Sequence, residues 1–326
     1  MIILKKNPQK DFVVLNLTDP QLGASEWEDG HTHRAILERT ITELVERVKP
    51  DLITVSGDLA WAGQEWAYEM FGLFLDGFQI PWAAVWGNHD NQEGAAFVEK
   101  IVGKYSALKN FVYEKGDPAL GNGNYVIGVE ENGKIVEAFV MIDSHDKAPF
   151  VTENGEEKME WAKLIPAQLV WYKEQIRNLK EMGCASATVI MHIPPFVYSQ
   201  ASKAAYKAGI TLSEVTLEEA DGNGVWNAGY EQSSGVQYEG IACYPEEDGV
   251  FETVLSAGVT KRILVGHDHV NNFIITYQGI QLIYALKAGA GCYWNPKLNG
   301  GTVLKINGGG AYEVKHEYVD ISDLLK

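Results

Sequence analysis

Five short polar motifs hold the side chains in this sequence best suited to chemistry: Asp19-Pro20-Gln21, Gly57-Asp58, Gly87-Asn88-His89-Asp90, His192 and Gly266-His267-Asp268-His269. Carboxylates, amide oxygens and imidazoles are the donors that Mn, Fe and Zn ions take, and the motifs together read as ligands for two metals. Each motif follows an apolar run. Residues 12–17 are apolar except for Asn16, 52–55 precede Gly57, 81–85 precede Gly87, 187–191 precede His192, and 262–265 precede Gly266. Short apolar runs closed by turn residues read as buried strands. In open α/β sheets ligands collect beyond the carboxyl ends of strands, so five such strands can deliver their last side chains to one crevice.

The elements that must position these residues follow a repeated pattern of strand, motif and helix. In 35–48, Ile36, Leu37, Ile41, Leu44, Val45 and Val48 recur at helical spacing until Pro50, and 65–78 places Trp66, Met70, Leu73 and Phe74 on one face. The resulting β-α-β-α-β order implies parallel strands. Further on, Glu131-Asn132-Gly133-Lys134 reads as a hairpin turn between runs at 125–129 and 136–142, which adds antiparallel strands and makes the sheet mixed. Residues 166–182, opened by Pro166 and ended by Gly183, suit a helix. Strands are expected again at 272–277, 281–285, 302–306 and 312–316. Residues 196–250 follow Pro194-Pro195, show no sustained period, and read as an insertion over the crevice that shapes substrate access. No repeat or linker divides the chain. The expectation is a single α/β domain over 1–326, a four-layer α/β/β/α sandwich of two mixed sheets with helices outside and the metal site at the strand carboxyl ends.

Composition narrows the function classes. With 326 residues, 46% hydrophobic, the chain can bury a sizeable core. A net charge of −17 argues against a nucleic-acid polymer or an anionic membrane as partner, so a phosphorylated small molecule would need its positive counterpart from bound metals. No apolar run approaches the length of about 20 residues needed for a membrane span, and the first six residues have no signal-peptide character, so a cytoplasmic location is expected. Cys184, Cys243 and Cys292 form no CxxC pair and read as reduced structural thiols.

In their order along the chain, the motifs resemble the calcineurin-like metallophosphoesterases, from about Phe12 to Ile306. The purple-acid-phosphatase-like branch is the nearest in pattern, through Val189-Ile190-Met191-His192, Gly266-His267-Asp268-His269-Val270-Asn271-Asn272-Phe273 and Pro166-Ala167-Gln168-Leu169-Val170-Trp171. The resemblance implies a dinuclear centre of Mn, Fe or Zn in which Asp58 bridges both ions. Asp19 and His269 would complete one, with Gln21 close by; Asn88, His192 and His267 would complete the other. It further implies hydrolysis of phosphomonoesters or phosphodiesters by a metal-bridging water or hydroxide, with His89 protonating the leaving oxygen or steadying the charged phosphorane. Asp90 would orient the His89 ring by accepting its other proton. The alternative enzyme is a pyrophosphatase cleaving nucleotide diphosphate compounds, and the alternative of another class is a non-catalytic phosphate-binding or interaction module.

Two positions depart from the family's pattern. Gln21 stands where a histidine is usual, and an amide is a weaker, oxygen-only ligand, so the metal on the Asp19/His269 side is expected to be held loosely. Trp61 stands where purple acid phosphatases carry a tyrosine that ligates ferric iron, so no tyrosinate-to-iron colour is expected. Outside the five motifs, His31-Thr32-His33 reads as a solvated helix start and Asp143-Ser144-His145-Asp146 as a turn at the cleft rim. Tyr198, Trp226, Tyr238, Tyr293 and Trp294 are aromatic candidates for stacking on a substrate ring, though core packing is the commoner use.

Overall fold

The computed structural model describes residues 1–207 and 234–326. Three of the five apolar runs are β2 (Phe12–Leu17), β3 (Leu52–Ser56) and β4 (Trp82–Val85), which pair in parallel with Val14 opposite Leu52 and Ile53 opposite Trp82. They are joined by α1 (Thr32–Val48) and α2 (Glu65–Asp76), and β13 (Gly300–Asn307) and β14 (Gly310–Tyr318) extend the sheet antiparallel beyond β2. The other two runs are β9 (Ala187–Ile190) and β10 (Thr260–Val265), neighbours in a second, seven-stranded sheet. That sheet also contains β1 (Ile2–Lys5), β5 (Tyr125–Glu131), β6 (Lys134–Met141), β11 (Ile274–Tyr277) and β12 (Ile280–Tyr284). Both sheets are mixed, as expected, and β5 and β6 form the hairpin closed at Glu131 and Lys134.

Period-two alternation sorts the strand residues into layers. Leu15, Leu17, Ile53 and Val55 face α1, α2 and α4 (Ala95–Tyr105), whereas Phe12, Val14 and Leu52 pack with Ile127, Phe139 and Leu264 of the second sheet. The far face of that sheet is covered by α5 (Pro166–Glu181), α6 (Val197–Lys207) and α7 (Val250–Ala257) through Tyr172, Ile176, Tyr198, Ala201 and Phe251. Three apolar layers of this kind are what a stack of helices, sheet, sheet and helices requires. Asn16, the polar interruption in β2, is buried without loss because its amide donates to Ser56 Oγ at 3.0 Å and accepts from Thr54 Oγ1 at 2.9 Å.

Three features differ from expectation. The segment 196–250 opens with a core helix, α6, whose Val197, Tyr198, Ala201 and Ala205 recur at helical spacing, with the Tyr198 hydroxyl donating to the Ile263 carbonyl at 2.8 Å. Small alanines and serines supply that face, which conceals its period. The part of the expected insertion at 208–233, and with it Trp226, lies outside the described residues. A separate two-stranded hairpin, β7 (Lys147–Val151) and β8 (Glu157–Trp161), follows the Asp143 turn; Pro149 and the charged β8 sequence disguised it. Finally, α1 begins earlier than the apolar period suggests, because the His31 ring accepts from the His33 backbone N–H and caps the helix.

Candidate metal centre

All five motifs lie just past the ends of β2, β3, β4, β9 and β10, and the side chains they carry meet in the interior. Asp19, Gln21, Asp58, Asn88, His192, His267 and His269 are all buried. Their donor atoms form two groups that share Asp58. In one, Asp19, Asp58 and His269 each offer an atom within 4.8 Å of the others, and Gln21 Nε2 approaches Asp58 Oδ2 at 3.5 Å. In the other, His192 Nε2 lies 3.0 Å from Asn88 Oδ1, 3.3 Å from His267 Nδ1 and 3.4 Å from Asp58 Oδ2.

The surrounding backbone sets which ring nitrogens are free. His192 Nδ1 sits 2.8 Å from the Ser56 carbonyl and His269 Nδ1 2.7 Å from the Tyr293 carbonyl; since a carbonyl can only accept, both Nδ1 atoms carry a proton and both Nε2 atoms face the cluster. Tyr293 also stacks on His269, with ring centroids 4.2 Å apart, and its hydroxyl donates to Glu239. Trp161, from the unforeseen hairpin, sets its edge against His267 at 4.3 Å. Lys287 is buried and donates to the Asp19 carbonyl. Of these supports, Lys287 had a readable sign, a lone lysine within the small apolar run Ala285 to Ala290.

The ligand loops are strained and tight. Asp19, Gln21, Asp58 and His267 all have positive φ, at 52°, 45°, 52° and 81°, a conformation that non-glycine residues rarely adopt and that concentrates at functional sites. The motif glycines are explained by close approach: a Cβ on Gly87 would lie 2.1 Å from Asp58 Oδ1, and one on Gly266 would lie 2.0 Å from Thr18 Oγ1 and 2.8 Å from Asp19 Oδ2.

The expected part for Asp90 is corrected. Its carboxylate accepts from the backbone N–H groups of Gly87 at 2.7 Å, Asp58 at 2.9 Å and Leu59 at 3.1 Å, and from the Tyr68 hydroxyl at 2.8 Å. Both oxygens are thereby occupied in tying the turn after β3 to the turn after β4, and the His89 ring pairs with Gln92 Oε1 at 3.3 Å instead. Backbone donors aimed at one buried point outcompete a ring on the far side of a short helix, α3 (Asn88–Asn91). Asp268 is likewise no ligand: it accepts from the Ala242 N–H at 3.1 Å and from the Tyr284 hydroxyl.

Electrostatics mark the centre as a place for cations. Burial pushes the His192 imidazole down, but Asp58 and Asp19 outweigh it and raise it to about 10. Burial and then the charge of His192 hold His267 down to about 3. Burial also raises Asp19 and Asp58, yet the facing histidines keep both below the usual carboxylate range. Burial and the Asp58 charge push Asp90 up to about 8. Three buried atoms, Asp19 Oδ1, Gln21 Oε1 and His267 Nε2, have no hydrogen-bond partner among the described residues, although such atoms are ordinarily satisfied. Two of these are oxygens with lone pairs left without donors, and beside the inward imidazole nitrogens they fit a pair of metal ions of the Mn, Fe or Zn kind.

Other sequence candidates fall elsewhere. His33 pairs with Glu26 Oε1 at 2.6 Å, on the surface side of α1. Tyr198 and Tyr238 are buried in apolar clusters, and Trp294 packs near His33. Trp61 meets the His89 ring edge-on at 4.6 Å. Cys184, Cys243 and Cys292 are free thiols. No helix among the described residues is long and apolar enough to cross a membrane.

The sequence model of the calcineurin-like phosphoesterases matches residues 12–271. The chain is 26% identical over 276 residues to probable inactive purple acid phosphatase 28 of Arabidopsis thaliana, covering 79% of this chain and 63% of that one. It is 27% identical over 164 residues to phosphatase DCR2 of Saccharomyces cerevisiae, covering 44% and 28%. The chain thus spans less than two thirds of the length of these relatives. A dimetal phosphatase from Danio rerio has the same fold, with a TM-score of 0.59 at 14% identity and coverage of 95% and 98% of the two chains. The chain belongs to the calcineurin-like phosphoesterase family.

Proposed function

We propose that this chain is a metal-dependent phosphohydrolase that cleaves phosphomonoesters or phosphodiesters of small molecules, with no nucleic-acid polymer or membrane as partner. The observation that carries the reading is the convergence of seven buried donor side chains from five strand ends, two of them with partnerless oxygens. Asp19, His269 and Asp58, with Gln21, would hold one ion, and Asp58, Asn88, His192 and His267 the other. When bound, the ions supply Lewis acidity to a phosphoryl group and to the attacking water.

The chain's own groups do the rest. His192 and His269 are locked in the tautomer that turns Nε2 inward by their carbonyl acceptors. The His89 N–H donates to Asp58 Oδ1 at 2.9 Å, which fixes the helix turn that carries its ring, and Trp61 packs against that ring. Gln92 Oε1 can only accept, so the His89 Nδ1–H is directed to it and Nε2 is left as the ring atom that serves the leaving oxygen. Asp90 acts at one remove, by holding the backbone of Asp58 and Gly87 in place.

A second reading has a specific observation behind it. Gln21 is an amide at a ligand position, and the matched plant relatives carry names containing "probable inactive". Under that reading the chain binds phosphate without turnover; the presence of both Asp58 and His89 favours hydrolysis. The test is a panel of phosphomonoester, cyclic diester and nucleotide diphosphate substrates given to protein loaded with Mn, Fe or Zn. Asp58→Asn is expected to lose both activity and metal, and His89→Ala to lose activity with metal retained. Full activity of both variants on every cleaved substrate would refute the assignment.

A further inference from the structure

A cavity of about 530 Å³ opens beside the candidate centre, within the span of about 300–1,000 Å³ usual for small-molecule sites. It is anchored at the centre by Asn91, on the same short helix as Asn88 and His89, and by Asp146. Its body is apolar, formed by Ala95, Val98 and Val102 of α4 with Tyr113 and Pro118. Its charge is negative: Glu99, Asp143 and Asp146 line it against Lys115, whose ammonium is already paired with Glu99 at 2.5 Å.

The polar groups differ in what they have left to offer. Asp143 is committed, accepting from Asn91 Nδ2 at 2.9 Å, from the His145 N–H at 2.9 Å and from the Asn122 N–H at 2.6 Å. His145 is taken by Gln168 Oε1 at 2.8 Å. Asp146 is the exception. It lines the cavity, its Oδ1 has no hydrogen-bond partner among the described residues, and burial raises its carboxyl against the opposing charges of Lys147 and then His89. A carboxylate that lines a ring-sized apolar cavity offers an acceptor to a donor carried by a ligand.

We propose that this cavity receives the leaving group of the substrate, a neutral or cationic alcohol with an apolar ring or chain, held by a hydroxyl or ammonium donor on Asp146. The inference rests on the phosphohydrolase reading and narrows it. As the P–O bond breaks, the leaving oxygen takes a proton and the free alcohol is released into the cavity. With Glu99 neutralised by Lys115, a pyrophosphate bond would instead send a phosphate-bearing leaving group against the carboxylates of Asp143 and Asp146, so esters of uncharged or cationic alcohols are the substrate class and nucleotide diphosphate compounds are disfavoured.

The experiment uses the metal-loaded full chain and four probes: methyl phosphate, phenyl phosphate, 4-(aminomethyl)phenyl phosphate and 4-carboxyphenyl phosphate. The wild type is expected to prefer the cationic over the anionic ester in kcat/KM by at least about five-fold, and Asp146→Asn to shrink that preference. At Gly103, which lines the cavity on α4, an added Cβ would meet no heavy atom within 4 Å, so a side chain can be started there, and Gly103→Phe is the variant chosen to fill the space. It is expected to lower the ratio of phenyl to methyl phosphate kcat/KM by about ten-fold. If the wild type cleaves these esters but shows no charge preference, or if Gly103→Phe leaves the ratio unchanged, the leaving-group assignment falls and the phosphohydrolase reading stands. Failure to cleave any of the four overturns both.

Discussion

Replacing Asp90 by alanine separates a backbone anchor from a partner of His89. Four donors converge on this buried carboxylate: the N–H groups of Gly87, Asp58 and Leu59 and the Tyr68 hydroxyl. Tyr68 has a second acceptor in the Ala60 carbonyl at 3.2 Å, so truncation leaves three buried N–H groups unpaired. At about 1–3 kcal/mol for each stranded donor, with water entering the small void to satisfy part of the loss, Asp90→Ala is expected to cost about 3–5 kcal/mol. Asp90→Asn keeps one oxygen for Gly87 and Asp58 and turns its NH₂ toward Tyr68, which can accept, leaving only Leu59 opposed. About 1–2 kcal/mol is then the expected loss. Urea unfolding of metal-free protein reads both values, and metal content measured alongside should fall in Asp90→Ala because Asp58 loses its anchor. Had Asp90 served to orient His89, both variants would keep wild-type stability and metal and would change only the pH profile of hydrolysis. Stability of Asp90→Ala within about 0.5 kcal/mol of wild type would refute the anchoring argument.

Gly266→Ala should lose metal and destabilise the chain by about 1–3 kcal/mol, read by elemental analysis and unfolding, because its methyl would collide with Thr18 Oγ1 and Asp19 Oδ2. His316 lies away from the centre, its ring nitrogens 3.0 Å from Thr302 Oγ1 and 2.6 Å from the Asn272 carbonyl, and burial holds it down to about 4. A histidine lowered on folding contributes stability that is full above its unfolded value near 6.5 and is lost as pH falls toward 4. His316→Gln should therefore flatten the acid side of the stability curve by about 1–2 kcal/mol over that window, discounted for partial exposure of the ring; an unchanged curve would count against it. Ions that bind only the folded chain raise its melting temperature, so chelation should lower Tm by about 5 °C or more in wild type and leave Asp58→Asn unmoved.

The strand-end motifs were legible because polar donors stand out against apolar runs, and the α-β order of the first ninety residues followed from simple periodicity. That is why β2, β3, β4, β9 and β10 could be read from the sequence, and with them the polar residues just beyond their ends that meet in the interior. What escaped was whatever depends on the direction of backbone groups. Asp90 is a carboxylate next to a histidine in sequence, but three N–H groups point at it from two turns, and residue types do not encode where those groups aim. Tyr293, a candidate for stacking on a substrate ring, stacks on His269 instead, and Trp161 reaches the centre from a hairpin brought there by tertiary packing alone. The helix α6 was concealed for a different reason: alanine can cover a core as well as leucine where helix and sheet lie close, and it leaves a weak apolar period.

Anomalous diffraction from crystals of the full chain equilibrated with Mn²⁺ tests the central claim most directly. The account predicts two peaks about 3.5–4 Å apart, one against Asp19, Asp58 and His269, with Gln21, the other against Asp58, Asn88, His192 and His267. The first should be the weaker, since its fourth ligand is an amide oxygen. No peak at this cluster, or a single ion that leaves Asp58 unshared even at saturating metal, would contradict it.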